Sequence, residues 1–167
     1  MNAKEVLDKV EITGLTADSR QVKPGFLFAA IPGTAIDGAQ FIPDAIARGA
    51  AAILATPDVN QALVSAPATL ITDSNPRRRL AKLAARFYSP QPRIAAGVTG
   101  TNGKTSVASF TRQIWQALGS PSASIGTLGI VGPDMKGGSG LTTPDPVDLH
   151  RALGEMKQKG IDHVAME

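Results

Sequence analysis

Apolar and polar positions in the first half of the chain predict strands and helices in turn. Extended or apolar stretches typical of strands occur at 12–20, 26–31, 51–55 and 69–72. Helical spacing of apolar residues occurs at 3–10, 40–48 and 75–88. Gly49 is the predicted C-cap of the second helix and Ser74 the N-cap of the third. The alternation predicts an α/β fold with parallel sheets and crossover helices.

A proline-rich segment, Ser89-Pro90-Gln91-Pro92, interrupts this pattern. Two prolines so close together end a helix and stiffen the connection that follows. We therefore place a domain boundary here, which gives predicted domains of residues 1–89 and 90–167.

The second half resumes the alternation. A strand at 94–96 precedes a helix from about 104 to Gly119, with four apolar residues on one face: Val107, Phe110, Ile114 and Leu118. The pattern then predicts a strand near 122–126, a glycine-rich loop over 126–140, a helix from Asp145 to Gly160 and a last strand over 161–167. Asp145 and Pro146 are a favourable N-cap and first helical residue.

Composition narrows the class of protein only slightly. The 167 residues carry a net charge of +3 and no cysteine, which excludes disulfides and thiolate metal sites. Basic residues are not interleaved with aromatics, so we expect no nucleic-acid partner. The N-terminal residues do not resemble a signal peptide, and no apolar run reaches membrane-spanning length. We expect a cytoplasmic monomer with no membrane partner.

Residues 97–106, Gly-Val-Thr-Gly-Thr-Asn-Gly-Lys-Thr-Ser, carry the strongest functional signal. A strand, a glycine-rich loop and a helix in this order form a phosphate cradle, in which Lys104 reaches the β- and γ-phosphates and the Thr105 hydroxyl holds Mg²⁺. Val98 stands where the usual G-x-x-x-x-G-K-[ST] pattern has its first glycine, so the match is to a variant. A chance Gly-Lys-Thr turn is the alternative, but the context favours an ATP site.

Glu167 follows the last predicted strand. Acidic residues at the carboxyl edge of a parallel sheet are placed to hold a metal in nucleotide enzymes; an ordinary solvated acid is the alternative. The strands predicted after the proline-rich segment are too few to cover the apolar faces of the helices, as the sheet of a complete domain would. We therefore expect residues 91–167 to be the first half of a larger domain, and less stable than residues 1–88 because a sheet face and an edge stay open.

Several motifs together resemble the Mur ligase superfamily, the ATP-dependent amide-forming enzymes of peptidoglycan precursor synthesis. Residues 99–105 resemble its ATP loop. Asp18-Ser19-Arg20, the 22–33 stretch and Asp37-Gly38 with Phe41-Ile42 resemble the UDP-binding domain of the members that add the third peptide residue or the D-Ala-D-Ala dipeptide. Thr142-Thr143-Pro144 and Met166-Glu167 are similar to the third-residue ligase.

The resemblance implies an N-terminal UDP-binding α/β domain followed by the first part of a P-loop parallel-sheet ATPase domain. It also implies a reaction in which ATP, with Mg²⁺, phosphorylates UDP-MurNAc-L-Ala-D-Glu to an acyl phosphate. The amine of meso-diaminopimelate or L-lysine then attacks, and the motif that distinguishes these two amino acids is not within the 167 residues. By itself the chain is expected to be inactive.

The resemblance also assigns residues. ATP would be held by Gly100, Thr101, Asn102, Gly103, Lys104, Thr105 and Ser106, with Lys104 catalytic. The UDP-MurNAc-dipeptide would contact Ala17, Ser19, Thr34, Ala35, Ile36, Thr142 and Thr143. Thr105 and Glu167 would hold the metal.

Simpler interpretations of these residues stay open at this point. Asp18 and Ser19 could form only an Asx-type turn, and Thr142 and Thr143 could be helix-entry residues. A nucleotide-binding or regulatory module without ligase activity is one alternative function, although the chain lacks the Asn-Lys-x-Asp motif of GTPase switches. A folylpolyglutamate-type ligase is another, disfavoured by Thr105 and by the UDP-type N-terminal domain.

Overall fold

The computed structural model describes residues 10–33, 37–137 and 145–167. It divides into two compact units, Met1–Phe87 and Tyr88–Glu167, and each unit has its own sheet. The boundary predicted from the sequence lies between residues 89 and 90, and the division in the structure lies between residues 87 and 88. The helix predicted at 3–10 falls mostly outside the described residues.

The first unit is a parallel sheet with four strands in sequential order. The strands are β1 (Gly14–Thr16), β2 (Phe26–Ala29), β3 (Ala52–Ala55) and β4 (Thr69–Thr72). Helix α1 (Ile42–Ala47) lies between β2 and β3 in the sequence and α2 (Pro76–Phe87) follows β4, with 3₁₀ turns at Ser19–Gln21, Gly38–Phe41 and Gln61–Leu63. The parallel α/β organisation predicted for this half is confirmed.

Central strands of this sheet are buried on both faces, as continuous apolar runs predict. Phe28 and Ile53 pack with Ile42 of α1 in one fully buried cluster. Helix α2 contacts β2 and β3 and buries Leu80 and Leu83 completely.

The predicted N-cap of α2 is wrong by one residue. The Oδ1 atom of Asn75, not the Ser74 hydroxyl, accepts a hydrogen bond from the backbone N–H of Arg78 at 2.9 Å. The Asn75 N–H is in turn held by Asp73 at 2.8 Å. Two consecutive residue types that both favour N-caps make the exact position hard to choose from the sequence.

The second unit has five strands in the order β5-β9-β6-β7-β8. They are β5 (Ile94–Gly97), β6 (Ser122–Gly126), β7 (Gly129–Gly132), β8 (Met135–Gly137) and β9 (His163–Met166). Helix α3 (Lys104–Ala117) lies between β5 and β6 in the sequence, and α4 (Pro146–Gln158) precedes β9. Strands β5, β9 and β6 are parallel, whereas β7 and β8 are antiparallel.

The β7–β8 hairpin corrects the prediction of a loop over 126–140. Its strands begin or end at glycines, and its turn uses Asp134 at a φ of 50°, a conformation that aspartate tolerates better than most residues. Glycine weakens the apolar alternation by which strands are recognised, so the sequence pattern missed them. The hairpin extends the sheet on the β6 side.

Helix α4 begins as predicted. The Asp145 side chain accepts a hydrogen bond from the N–H of Val147 at 2.8 Å, and Pro146 occupies the first turn. Asp148 forms an ion pair with Arg151 and does not bond to the N-cap residue Asp145. Leu153 and Met156 pack with Ile125 and Val164 of the sheet in the core of this unit.

Helix α3 keeps its predicted apolar face, but that face is exposed. Val107, Phe110, Ile114 and Leu118 are between 50% and 74% exposed, and Ala108 is the buried residue of the helix. The edge strand β5 is also largely exposed, including Ile94. Among the described residues, no helix combines the length and apolarity needed to cross a bilayer.

We predict that replacing Phe110 and Ile114 with glutamine changes the free energy of unfolding by less than about 0.5 kcal/mol, because both side chains are already in water. Binding of an apolar dye to the folded chain should fall. Leu83→Ala is the buried control and should cost about 2–5 kcal/mol. Denaturant unfolding measures the free energy of unfolding of both variants. A loss from the glutamine pair as large as that from Leu83→Ala would show that the α3 face is covered.

Candidate functional site

The loop between β5 and α3 has the backbone of a phosphate cradle. Gly100 and Gly103 adopt φ angles of 145° and 77°, which side-chain-bearing residues rarely adopt. Gly103 is also the N-cap of α3, without a capping side-chain hydrogen bond and without an acidic residue in the first turn. The first N–H groups of an α-helix lack partners within the helix, so this terminus suits an anion.

Lys104 lies over the loop. Its Nζ donates to the carbonyl oxygen of Gly100 at 2.7 Å, with a longer contact of 3.4 Å to that of Thr101. Both acceptors belong to the loop itself, and the ammonium has three donor hydrogens. The ammonium is thus already placed at the mouth of the loop where phosphates are expected.

Strand pairing brings Glu167 to the same edge. Met166 at the end of β9 pairs with Gly97 of β5 on one side and with Ile125 of β6 on the other. The backbone of Glu167 continues this pairing, since its N–H donates to the carbonyl of Ile125 at 3.0 Å. The glutamate therefore emerges at the carboxyl ends of three parallel strands, where α/β proteins bind ligands.

Thr105 and Glu167 contact each other directly. The Thr105 hydroxyl donates to Oε2 of Glu167 at 2.9 Å and lies 3.0 Å from the hydroxyl of Thr127. The N–H of Thr127 donates to Oε1 of Glu167 at 3.2 Å. A hydroxyl and a carboxylate are hard oxygen donors of the kind that Mg²⁺ prefers, so these residues fit the metal that the motif implies.

The described residues contain no group of three or more His, Cys, Asp or Glu placed to hold a metal ion. A magnesium site at Thr105 and Glu167 would therefore rely on water and phosphate oxygens for its other ligands, as is usual for Mg²⁺ with nucleotides.

A cleft of about 370 Å³ lies beside the loop. Its walls combine the start of the loop, the ends of the sheet strands and the first half of α4; they are Gly97, Val98, Thr99, Ile125, Leu149, Met166 and Glu167. Apolar side chains predominate, and the Glu167 carboxylate is the charged group among them. Such a cleft can exclude water from a group that reacts next to the phosphates.

The first unit has a separate cleft of about 520 Å³, formed by Ala17, Asp18, Ser19, Arg20 and Phe41. Ser19 is buried and starts a 3₁₀ turn whose N-cap is Asp18. Asp18 and Ser19 thus do form the Asx-type turn considered above, and they do so at the wall of a cleft. Ala17 and Ser19, two of the predicted substrate residues, are brought together here.

Arg20 is fixed at this cleft by Asp18. Its Nε and Nη2 atoms donate to the two carboxylate oxygens at 2.9 and 2.8 Å. The hydrogen bond from the Arg20 side chain holds the pKa of Asp18 below its usual value, and the same bond raises the pKa of Arg20. The bidentate pair uses Nε and Nη2 of Arg20, and the guanidinium has further N–H donors that can meet an anion.

Five predicted substrate residues, Thr34, Ala35, Ile36, Thr142 and Thr143, lie outside the described residues. Conversely, the structure adds Phe41, Gly126 and Thr127, which sequence reasoning did not select. Thr127 had one usable signal, since it is a polar residue directly after a strand of a parallel sheet. Phe41 also had a signal, since Phe41-Ile42 belongs to the residues that resemble the UDP-binding domain.

Neither histidine of the described residues belongs to these sites. His150 lies with its Nδ1 atom 3.2 Å from the side-chain oxygen of Gln91, and burial lowers its pKa. His163 packs against Trp115 with ring centroids 5.2 Å apart, so Trp115 contributes to packing.

One unit with a parallel sheet and one with a mixed sheet that carries a strand–glycine loop–helix site define a two-unit α/β protein of the phosphate-loop class. Residues 11–88 match the family described as "Mur ligase family, catalytic domain", and residues 98–167 match "Mur ligase middle domain". The chain belongs to the Mur ligase family.

Two curated relatives share one name. The chain is 54% identical over 159 residues to the UDP-N-acetylmuramoyl-L-alanyl-D-glutamate--2,6-diaminopimelate ligase of Brucella melitensis biotype 1, covering 95% of this chain and 32% of that protein. It is equally identical over 161 residues to the ligase of the same name from Rhizobium meliloti, with the same coverage. The chain thus spans about a third of the length of these relatives.

Solved structures give the same fold. A UDP-N-acetylmuramoyl-L-alanyl-D-glutamate--2,6-diaminopimelate ligase superposes with a TM-score of 0.78 at 25% identity, covering 93% of this chain and 31% of that one. A MurF ligase from Thermotoga maritima in complex with ADP superposes with a TM-score of 0.60 at 22% identity, covering 90% and 30%. The second match supports the fold alone.

We predict that Arg20→Gln raises the pKa of Asp18 towards its ordinary value, because the charged partner that favours the ionised carboxylate is removed. Carboxyl carbon NMR across a pH titration measures the change. A lowered carboxyl pKa stabilises the fold only while the group is ionised, so any stability lost in Arg20→Gln should appear at neutral pH and vanish as the pH falls through the lowered pKa.

Arg48→Gln is the matched control for this titration, since Arg48 pairs with Asp44 in the same unit. It should leave the Asp18 titration unchanged. An Asp18 pKa that is the same in wild type and Arg20→Gln would contradict the ion pair.

Proposed function

We propose that the chain is part of an ATP-dependent ligase that adds 2,6-diaminopimelate to UDP-MurNAc-L-Ala-D-Glu. The observation that carries this proposal is the convergence of the glycine loop, Lys104, Thr105 and Glu167 at one sheet edge. The names of the relatives support the substrate and the amino acid, and the glycine loop at the start of α3 supports the nucleotide.

In this proposal the loop holds ATP through its backbone. The residues are Gly100, Thr101, Asn102, Gly103, Lys104, Thr105 and Ser106. Lys104 releases the carbonyl of Gly100 and turns its ammonium to the β- and γ-phosphates, because a phosphate oxygen is a stronger acceptor than a neutral carbonyl. The N-terminus of α3 adds partial positive charge.

The Thr105 hydroxyl and the Glu167 carboxylate would hold Mg²⁺ beside the phosphates. When bound, the ion neutralises phosphate charge and orients the γ-phosphoryl group. Lys104 adds a second positive charge to the same phosphates. Two anions, the substrate carboxylate and the nucleotide, must approach each other, and this neutralisation lowers the electrostatic cost of that approach.

The reaction needs activation because a carboxylate has no good leaving group. The D-Glu side-chain carboxylate attacks the γ-phosphorus and ADP leaves, which gives an acyl phosphate. The amine of the diamino acid then attacks the acyl carbon and inorganic phosphate leaves. The apolar cleft beside the loop would shield the acyl phosphate from water.

The uridine end of the substrate would occupy the cleft of the first unit, against Ala17 and Ser19. Thr34, Ala35 and Ile36 would contribute to the same end, and Thr142 and Thr143 would also contact the UDP-MurNAc substrate. These assignments rest on the family resemblance. We expect the 167-residue chain to bind ligands without completing ligation, since it spans about a third of its relatives.

We predict that Lys104→Ala weakens Mg·ATP binding to this chain about 10- to 100-fold, because a charge-assisted hydrogen bond to phosphate is lost. Calorimetric titration measures the affinity. Lys82→Ala, which removes an exposed lysine of α2, is the control and should bind as wild type does. Equal affinities for wild type and Lys104→Ala would contradict the ATP site.

We also predict that Ser19→Ala weakens binding of UDP-MurNAc-L-Ala-D-Glu about 2- to 10-fold, the effect of one neutral hydrogen bond. Ser74→Ala, an exposed serine of the same unit, is the control. Ligation itself is tested on the full-length gene product. ADP release should require both the UDP-linked dipeptide and 2,6-diaminopimelate; release independent of them would contradict the ligase proposal.

A further inference from the structure

Gly126, the last residue of β6, lies directly beneath the carboxylate of Glu167. A Cβ atom at this position would be 1.9 Å from Oε1, 2.4 Å from Cδ and 2.7 Å from Cγ of Glu167. Real Cβ atoms do not come this close to other heavy atoms. Any residue other than glycine would therefore push the glutamate side chain away.

Backbone conformation does not explain this glycine. Gly126 is absent from the described glycines with positive φ, in contrast to Gly100 and Gly103 of the loop. It is an ordinary strand residue paired with Gly129, where a side chain would normally be tolerated and would strengthen the strand. The close approach of Glu167 is the physical reason for glycine at this position.

Thr127 supplies the hydrogen-bond donor that holds the Glu167 carboxylate in place over Gly126. Its N–H donates to Oε1 of Glu167 at 3.2 Å, whereas its hydroxyl lies 3.5 Å from the same atom and 3.0 Å from the Thr105 hydroxyl. Each hydroxyl has one hydrogen. If Thr105 donates to Oε2, the Thr127 hydroxyl can donate either to Thr105 at 3.0 Å or to Oε1 at 3.5 Å. The shorter distance favours Thr105, and the Thr127 N–H is the nearer donor to Oε1.

We infer that Gly126 and Thr127 are positioning residues that hold the Glu167 carboxylate against the Thr105 hydroxyl. We call this arrangement of Gly126, Thr127 and Glu167 the carboxylate seat. Gly126 leaves the space, and the N–H fixes Oε1 so that Oε2 turns to the Thr105 hydroxyl. This arrangement presents two oxygen donors to a divalent cation beside the phosphate loop. The role of this arrangement in metal binding rests on the proposed function, whereas its geometry is independent of that proposal.

The seat is tested first without any ligand, by amide NMR spectra of this chain. Glu167→Gln replaces an anionic acceptor at Oε1 with a neutral amide, so the amide of residue 127 should shift more than almost any other. In a Gly126→Ala background the carboxylate is already displaced. There, Glu167→Gln should shift residue 127 no more than it shifts amides remote from the site.

Thr127→Val is the second variant, because it removes the hydroxyl and keeps both the N–H and the side-chain shape. The response of residue 127 to Glu167→Gln should survive in this background, and this comparison decides the question even if Gly126→Ala fails to fold. Three results would overturn the inference: no response in the wild-type background, a full response with Gly126→Ala, or loss of the response with Thr127→Val.

The functional consequence is measured separately, as the ratio of ATP affinities with and without Mg²⁺. This ratio should fall towards one in Gly126→Ala, because the carboxylate no longer meets Thr105. An unchanged ratio in that variant would overturn the metal-seating role. If the wild type shows no ATP binding while the amide of residue 127 still responds to Glu167→Gln, the proposed function fails. The positioning of Glu167 by Gly126 and Thr127 then stands by itself.

Discussion

The pairing of β9 between β5 and β6 is the constraint on which the second unit depends. Strand β9 follows β5 and β6 in the sequence but lies between them in the sheet. Its register therefore aligns the carboxyl ends of the three strands and places Glu167 among them. The hydrogen bond from Glu167 to the Ile125 carbonyl carries this alignment one residue past the strand. Residues that are 62 positions apart, Thr105 and Glu167, then share a hydrogen bond. A slip of one residue would turn the glutamate to the other face of the sheet.

Much of this arrangement was predictable from the sequence because its signals are local. The strand–loop–helix order around Lys104 and the Asp145-Pro146 helix start are short patterns with a physical cause, and the structure confirms those elements. The α/β class follows from alternating apolar runs and helical spacing. Glu167 at a sheet edge followed from the same alternation, since parallel strands deliver their last residues to one edge.

What escaped prediction depends on contacts between distant residues. The β7–β8 hairpin was hidden by glycines, and the seat at Gly126 exists only because Glu167 crosses over it from another strand. Phe41 belongs to a stretch that resembles the UDP-binding domain, but only the fold shows that it lines the first cleft. The apolar face of α3 has the spacing typical of a buried helix, yet it is exposed. Spacing tells which residues share a face, and tertiary packing decides whether anything covers it.

The central claim is that Thr105 and Glu167 form a preset cation site next to a phosphate loop. A crystal structure of the chain with Mg²⁺ and a non-hydrolysable ATP analogue tests it most directly. The account predicts Mg²⁺ between the Thr105 hydroxyl and the Glu167 carboxylate, phosphates on the N–H groups of the loop, and the Lys104 ammonium on phosphate instead of the Gly100 carbonyl. A nucleotide bound elsewhere, or Mg²⁺ held without Glu167, would contradict it.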